Sequence, residues 1–282
     1  MKIAIASGKG GTGKTTIATS LAYMAAREGR TVAYLDCDVE EPNGHIFLQP
    51  VIDAEQPIEK LVPQVDPARC THCGRCARAC RYGALASLPG ETLVFAELCH
   101  ACGGCALACE SGAISEHRRT IGWLRAGRSG AIRFLDGVLR VGEAMSPPAI
   151  RAVKSALEPV ELAILDAPPG TSCPAVEAVR GCDQVILVTE PTPFGLHDLG
   201  LAVEMVRALE VPFTVVINRA DVGDARAREY CERHFIPLLA EIPESRAVAE
   251  AYSRGELACR AVPSLDGHIA AILSGLSGEV CR

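Results

Sequence analysis

The sequence is poor in aromatic residues and contains no long stretch of one kind of residue. Phe, Trp and Tyr make up 4% of the 282 residues, so the core must consist mainly of Ala, Val, Ile and Leu. No apolar run approaches the roughly 18 residues that a membrane-spanning helix needs. The net charge is −6, and no cluster of Lys and Arg is dense enough for a nucleic-acid-binding arm. These absences predict a protein that binds neither membranes nor nucleic acids.

The two ends of the sequence lack targeting features. Residues 1–6 form a short apolar run that turns directly into a glycine-rich segment, as a first β-strand would and a secretory signal would not. Residues 268–282 lack the basic amphipathic pattern of a membrane-targeting helix. We therefore expect a cytoplasmic protein, in which thiols stay reduced. The 14 cysteines are then expected to bind metal rather than to form disulfides.

Short apolar strands alternate with helix-like segments near both ends of the chain. Strands are predicted at Lys2–Ser7, Thr31–Asp36, Leu162–Asp166, Gln184–Thr189 and Pro212–Asn218. This alternation indicates an α/β fold whose mostly parallel sheet is covered by helices on both faces. The middle of the chain is rich in cysteine and has no long helical period. We predict an α/β domain in two parts, residues 1–60 and 119–282, with a small α+β domain inserted at residues 61–118.

A phosphate-binding loop is predicted between the first strand and the first helix. Residues 8–16, GKGGTGKTT, fit the pattern G-x-x-x-x-G-K-[ST] of P-loop nucleotide-binding proteins. Glycines let backbone N–H groups close around phosphate oxygens, and the helix N-terminus adds a partial positive charge. Lys14 is expected to reach the β- and γ-phosphates, and Thr15 to bind Mg²⁺. The predicted ATP-binding residues of this loop are Gly10, Gly11, Thr12, Gly13, Lys14, Thr15 and Thr16.

A second lysine near the start of the loop carries a resemblance to a known family. KGGTGKT resembles the deviant Walker A motif of the MinD/ParA group of ATPases, which includes the nitrogenase iron protein. In that group, the early lysine crosses a dimer interface to the partner's nucleotide. The resemblance therefore implies that Lys9 is catalytic together with Lys14, and that ATP binding drives formation of a homodimer. It extends over residues 1–50 and 119–282.

Four further motifs continue this resemblance in the same order along the chain. LDCDVEEPN contains Asp38, which resembles the aspartate that orients the attacking water and lies close to Mg²⁺. LDAPPGTS contains Asp166, which resembles the Walker B aspartate on the Mg²⁺ side. VVINRAD contains Asn218, which resembles the asparagine that contacts adenine, and EIPES contains Pro243 in a loop that flanks the base. The resemblance implies a MinD-type ATPase.

Eight cysteines form two copies of one pattern, C-x₂-C-x₂-C-x₃-C, which starts at residue 70 and again at residue 99. This is the run of bacterial two-cluster ferredoxins, in which the fourth cysteine of each run binds the other cluster. Zinc is the alternative, but zinc needs only two C-x₂-C pairs and leaves the third cysteine of each run unexplained. The predicted ligands are Cys70, Cys73, Cys76 and Cys109 for one [4Fe–4S] cluster, and Cys80, Cys99, Cys102 and Cys105 for the other.

Taken together, the segments resemble MinD-superfamily ATPases that contain an inserted ferredoxin domain. Three functions fit this combination. ATP binding and hydrolysis would gate electron transfer from the clusters to a redox partner, or the protein would assemble or carry an iron–sulfur or metal cofactor for a partner protein. Alternatively, nucleotide-driven dimerisation would position other machinery in the cell. We expect the first function, with ATP, Mg²⁺ and two [4Fe–4S] clusters as cofactors.

Overall fold

The structure, a computed structural model, describes residues 1–277 of the chain. The strands are β1 (Lys2–Ala6), β2 (Val32–Asp36), β3 (Val51–Val65), β4 (Leu85–Leu88), β5 (Glu91–Val94), β6 (Ile114–Ser129), β7 (Ile132–Leu139), β8 (Leu162–Asp166), β9 (Gln184–Thr189), β10 (Phe213–Asn218) and β11 (Leu238–Ile242). The helices are α1 (Lys14–Arg27), α2 (Gly44–Leu48), α3 (Arg75–Ala79), α4 (Gly104–Leu107), α5 (Pro147–Ser155), α6 (Cys173–Val179), α7 (Pro193–Ala208), α8 (Arg226–Arg233), α9 (Arg246–Ser253), α10 (Ala258–Ala261) and α11 (Pro263–Ser277).

Nine of the strands form one twisted sheet in the order β11-β10-β9-β1-β8-β2-β7-β6-β3. The seven strands from β11 to β7 are parallel, and β6 and β3 are antiparallel additions at one edge. Successive side chains of β1 alternate between two buried cores: Ile3 and Ile5 pack with α1 and α11, and Ala4 and Ala6 pack on the opposite face with α5 and α7. The predicted α/β fold with a mostly parallel sheet and helices on both faces is confirmed.

The wholly apolar strands match their predictions to within one residue at each end. Gly29, just beyond the end of α1, has a φ of +84°, which glycine adopts without the strain that other residues incur. Residues 119–139 contain most of β6 and all of β7, and no strand is predicted there from the sequence. Much of β6 faces solvent on an antiparallel hairpin, so its sequence lacks the apolar run that identifies a buried parallel strand.

The cysteine-rich segment sits at the end of a long ribbon formed by β3 and β6. Only residues 122–129 of β6 pair with β7, so the ribbon continues beyond the sheet. A bulge between Ile58 and Glu59 marks the point where the ribbon leaves it. The predicted domain boundaries at 60/61 and 118/119 therefore fall inside two continuous strands. Beyond the ribbon lie α3, the β4–β5 hairpin and α4.

Within residues 1–277, the structure contains no helix that is both long enough and apolar enough to cross a membrane. Residues 278–282, the end of the segment for which no membrane-targeting pattern is predicted, lie outside the described residues.

Candidate functional site

A cavity of about 440 Å³ opens at the carboxyl edge of the parallel strands. Its volume falls within the usual range for small-molecule sites. Loops that follow β1, β2, β8, β10 and β11 meet there, as expected for an open α/β sheet. The predicted site residues that line it are Gly10, Gly11, Gly13, Lys14, Thr15, Thr16, Asp38, Asn218 and Pro243.

The loop between β1 and α1 is held in shape by its glycines and by Asn218. Gly13 has a φ of +93°, and a Cβ at this position would lie 2.5 Å from Nδ2 of Asn218. Asn218 Nδ2 donates a hydrogen bond of 2.9 Å to the carbonyl oxygen of Thr12. The Thr12 hydroxyl is buried and makes no hydrogen bond within the described chain. The end of β10, where the predicted adenine contact Asn218 lies, is thus hydrogen-bonded to the phosphate loop.

A buried carboxylate, that of Asp166, lies beside Lys14, Thr15 and Asp38 without itself lining the cavity. The Tyr34 hydroxyl donates a 3.0 Å hydrogen bond to Oδ2 of Asp166, but among residues 1–277 Oδ1 has no hydrogen-bond partner. Burial raises the pKa of Asp166, and the Thr15 hydroxyl and the Lys14 ammonium oppose this shift. A hard cation with oxygen ligands would satisfy the free carboxylate oxygen. Thr15, Asp38 and Asp166 therefore form a donor set that fits Mg²⁺.

Two further groups of this site have shifted pKa values. Burial lowers the pKa of Lys14, while the charges of Asp166 and Asp38 raise it. Burial, with a further contribution from Asp166, raises the pKa of Asp38 from 3.8 to about 6. Asp38 is therefore a carboxyl group that titrates near neutral pH beside the predicted phosphate position, as a residue that handles a proton or a water molecule would.

The loop that carries Asp38 is fixed by Asp36. The Asp36 carboxylate accepts hydrogen bonds from the backbone N–H groups of Asp38 (3.1 Å), Asn43 (3.1 Å) and Gly44 (2.8 Å). Its pKa is raised well above the ordinary value by burial and by the nearby Asp166. Asp36 is fully buried, so its carboxylate positions the Asp38 loop from the interior of the protein.

Lys9 does not line the cavity. Its ammonium lies 3.1 Å from Oε2 of Glu190, which is 9% exposed and also pairs with Arg219 at 2.7 Å. Arg219 in turn pairs with Glu244 at 2.9 Å, and both of these residues line the nucleotide cavity. Lys9 is thus held within its own subunit here, and reaching a partner subunit would require it to leave Glu190. Glu190 was not identified from the sequence, although it follows directly on a predicted strand.

The crossed assignment predicts two sets of thiols, each with three cysteines of one run and the fourth cysteine of the other. We call Cys70, Cys73, Cys76 and Cys109 the first thiol set, and Cys80, Cys99, Cys102 and Cys105 the second thiol set. All four members of the first set line one small cavity. Burial raises the pKa of Cys76, and the neighbouring thiols Cys70 and Cys109 add to this shift. In the second set, Cys80 packs against the small core that contains Cys99 and Cys105, and Cys76 of the first set packs against the same core.

The two halves of this segment repeat each other in structure. Sγ of Cys80 accepts a hydrogen bond from the N–H of Ala84 at 3.3 Å, and Sγ of Cys109 accepts one from Ala113 at 3.2 Å. His72 and Ala101, which stand at the same place in the two runs, both have a positive φ. Backbone N–H groups directed at sulfur stabilise a thiolate, so the donor chemistry fits an iron–sulfur cluster in each half.

Within the described part of the chain, no three His, Cys, Asp or Glu side chains converge on a position for a single metal ion. The thiolates of a [4Fe–4S] cluster bind four different iron atoms, so cluster ligands do not converge on one point. Measurement of the metal content distinguishes iron–sulfur clusters from zinc in the two thiol sets. After anaerobic reconstitution, we predict about eight iron atoms per chain and no stoichiometric zinc.

The crossed assignment gives a second, sharper prediction. Cys80→Ser is expected to damage the cluster on Cys99, Cys102 and Cys105 and to leave the cluster of its own run intact, because Cys80 belongs to the second thiol set. Electron paramagnetic resonance (EPR) of the reduced protein distinguishes the two clusters. Cys259→Ser, at a buried thiol far along the chain, serves as the control and should retain both signals. Loss of the cluster on Cys70, Cys73 and Cys76 in the Cys80 variant would contradict the crossed assignment.

Comparison with known proteins places the chain in a family. Residues 3–258 match the family model described as the CobQ/CobB/MinD/ParA nucleotide binding domain. The chain is 34% identical over 248 residues to the uncharacterized protein MJ0578 of Methanocaldococcus jannaschii, covering 86% of this chain and 87% of that protein. It is 25% identical to an iron–sulfur cluster carrier protein of Pyrococcus abyssi, covering 90% of this chain and 77% of the carrier.

A solved structure shares the fold over the whole chain. The septum site-determining protein MinD of Pyrococcus horikoshii, complexed with Mg-ADP, superposes with a TM-score of 0.59 at 20% identity, covering 100% of this chain and 98% of MinD. The parallel sheet, the phosphate loop and the family match all indicate the same nucleotide-binding fold. The chain therefore belongs to the CobQ/CobB/MinD/ParA nucleotide-binding family and is an ATP-binding P-loop ATPase of the MinD/ParA type.

Proposed function

We propose that this protein uses ATP-driven dimerisation to gate electron transfer from two [4Fe–4S] clusters to a redox partner. The observation that carries the proposal is the continuous β3–β6 ribbon. It joins the sheet that ends at the nucleotide cavity directly to the segment that holds both thiol sets. A flexible linker would let the two parts move independently, whereas a continuous hydrogen-bonded ribbon can transmit a displacement.

The side chains at the cavity can each be given a role in ATP hydrolysis. Lys14 and the N–H groups of the phosphate loop neutralise the β- and γ-phosphates, and Asp38 orients the attacking water. Asn218 and Pro243 contact the adenine side. Mg²⁺, held by Thr15, Asp38 and Asp166, would supply further charge neutralisation. Lys9 adds positive charge at the partner's phosphates only when two subunits meet, so hydrolysis is coupled to dimer closure.

The two thiol sets suit clusters that remain in the protein. The sulfurs of Cys80, Cys99 and Cys109 accept backbone N–H hydrogen bonds, and Cys99 and Cys105 are buried, whereas one cysteine of each set, Cys73 and Cys102, is exposed. Such clusters would supply one-electron transfer. The residues around them would shield them from solvent and set their potentials.

A second candidate function is the assembly or delivery of iron–sulfur clusters. The names of several relatives at 25% identity favour it, since they are described as iron–sulfur cluster carrier proteins. In a carrier, a cluster must leave the thiols that hold it. The two candidates therefore differ in whether both clusters stay bound during ATP turnover.

An anaerobic experiment separates these two functions. The reconstituted protein is mixed with Mg-ATP and with an excess of an apo-ferredoxin, the acceptor, which folds without this protein. The two proteins are then separated, and the iron content of each is measured. Gating predicts that about eight iron atoms per chain stay with this protein and that the cluster potentials differ between ADP and ATP. Transfer of iron to the acceptor in proportion to ATP hydrolysis, with unchanged potentials, would contradict gating and support the carrier function.

A further inference from the structure

A buried group of charged side chains lies where the β3–β6 ribbon leaves the main sheet. Lys60 and Arg119 are register partners in the ribbon, directly beyond the bulge at residues 58 and 59. Glu143, from the loop after β7, lies against both: Lys60 Nζ is 2.5 Å from Oε1 of Glu143, and Arg119 Nη1 is 3.4 Å from Oε2. The side chains of Lys60 and Glu143 are only 2% and 1% exposed. Burying such a pair costs about as much free energy as it returns, so stability alone gives little reason for it.

One side of this group contacts the segment that carries the second thiol set. Lys60 Nζ donates a 3.4 Å hydrogen bond to the carbonyl oxygen of Glu97, and Arg119 pairs with the Glu97 carboxylate at 2.8 Å. Glu97 precedes Cys99 by two residues, and Sγ of Cys99 lies 3.9 Å from the carbonyl oxygen of Leu61, the neighbour of Lys60. A change in the position or ion pairing of Lys60 would therefore affect the segment that carries the second thiol set.

The other side of the group is connected to the nucleotide site. The N–H of Leu139, at the end of β7, donates a 2.9 Å hydrogen bond to the carbonyl of Val39, which directly follows Asp38. A Cβ on Gly137 would lie 2.7 Å from a Val39 methyl group, so β7 and the Asp38 loop are in close contact. Glu143 follows Leu139 by four residues, in a turn closed by its N–H and the carbonyl of Arg140 at 3.0 Å.

The pairing of Glu143 leaves a second arrangement open. Its Oε1 is engaged by Lys60, whereas Oε2 faces Arg119 Nη1 at 3.4 Å; in the described residues both of these buried atoms lack a hydrogen bond, although they form an ion pair. A shift of the loop after β7 toward Arg119 would turn the 3.4 Å contact into a hydrogen bond and lengthen the contact with Lys60, leaving the Lys60 charge less compensated. A less compensated positive charge near a cluster favours its reduction.

We propose that Glu143 is a positioning residue that transmits the nucleotide state from the Asp38 loop to the cluster on the second thiol set, by changing how it pairs with Lys60 and Arg119. This inference rests on the proposed gating function and names the element that performs it. In this proposal, an arrangement bonded to Lys60 and one bonded to Arg119 are the two states of the carboxylate that such coupling requires.

The test is the midpoint potential of the second cluster, measured by anaerobic EPR-monitored titration without nucleotide, with Mg-ADP and with Mg and a non-hydrolysable ATP analogue. The Cys80→Ser variant assigns which signal belongs to this cluster. Glu143→Gln is expected to keep both clusters and normal nucleotide affinity but to lose more than half of the nucleotide-dependent difference in potential. Glu59→Gln is the matched control, because the exposed Glu59–Arg118 pair spans the same two strands at 3.2 Å and should leave the difference intact.

Removing one member of a buried pair can unfold a protein, so a second variant keeps the test decisive. Lys60→Met combined with Glu143→Leu removes both charges together and should also abolish the nucleotide-dependent difference. A full difference in either variant would overturn the role of Glu143 while leaving the gating function standing. A wild-type protein without any nucleotide-dependent difference would instead contradict the gating function and this inference together.

Discussion

Lys14→Ala is expected to weaken ATP binding by roughly 10- to 100-fold, because it removes a buried charge-assisted contact to the phosphates. Lys9→Ala is expected to retain ATP binding within about threefold, since Lys9 lies outside the cavity and pairs with Glu190. It should instead lose ATP-dependent dimerisation, and hydrolysis should fall by roughly 10²-fold or more, as when a charge supplied by the partner subunit is removed. Binding is measured by titration calorimetry, and dimerisation by sedimentation.

Lys2→Ala is the control for the removal of a surface lysine, because Lys2 is exposed at the start of β1. It should bind ATP, dimerise and hydrolyse as the wild type does. The prediction fails if Lys9→Ala hydrolyses ATP at the wild-type rate as a monomer. In that case the resemblance to the deviant Walker A family would not extend to its dimer chemistry.

Asp38→Asn is expected to reduce ATP hydrolysis by roughly 10²-fold, as when a group that orients or deprotonates water is lost. It should also stabilise the nucleotide-free protein above pH 6. The pKa of Asp38 is about 6 in the folded chain and 3.8 as an ordinary carboxyl, so ionising it opposes folding. Below pH 3.8 both proteins carry a neutral side chain and should be equally stable. At pH 8 the variant should gain up to ~3 kcal/mol, an upper bound from about 1.4 kcal/mol per pKa unit.

Unfolding by urea at pH 3.5, 5, 6.5 and 8, in the presence of a chelator, measures this dependence. Asp53→Asn is the matched control, because Asp53 is exposed on β3 and its replacement should leave the pH profile unchanged. If the Asp38→Asn variant were less stable than the wild type at pH 8, the charge of the Asp38 carboxylate would stabilise the folded protein, contrary to this prediction.

The nucleotide site could be predicted from the sequence because each of its parts is a local pattern. The phosphate loop and Asp38 follow short apolar strands, and Asp166 and Asn218 are the last residues of such strands. Parallel strands bring their carboxyl ends to one edge of the sheet. The same holds for the thiol sets, where the spacing within each run and its repetition carry the information. The fold class followed from the alternation of these strands with helices.

The remaining features depend on contacts between residues that are distant in sequence. The Lys60–Glu143 pair joins positions 83 residues apart, and neither residue belongs to a motif. Glu190 is a single carboxylate after a strand, and only the structure places it against Lys9. The β3–β6 ribbon was also not predicted, because its solvent-facing residues give no apolar pattern and its two strands are separated by residues 66–113.

The central claim, that dimerisation on ATP changes the clusters, is tested most directly by comparing cluster potentials in the wild type and in Lys9→Ala. Both proteins are reconstituted anaerobically and titrated with EPR detection, with Mg-ADP and with a non-hydrolysable ATP analogue at saturating concentration. The account predicts a difference in potential between the two nucleotides in the wild type and none in Lys9→Ala, which binds nucleotide but stays monomeric. Equal potentials in the wild type with both nucleotides, or the same difference in the monomeric variant, would contradict it.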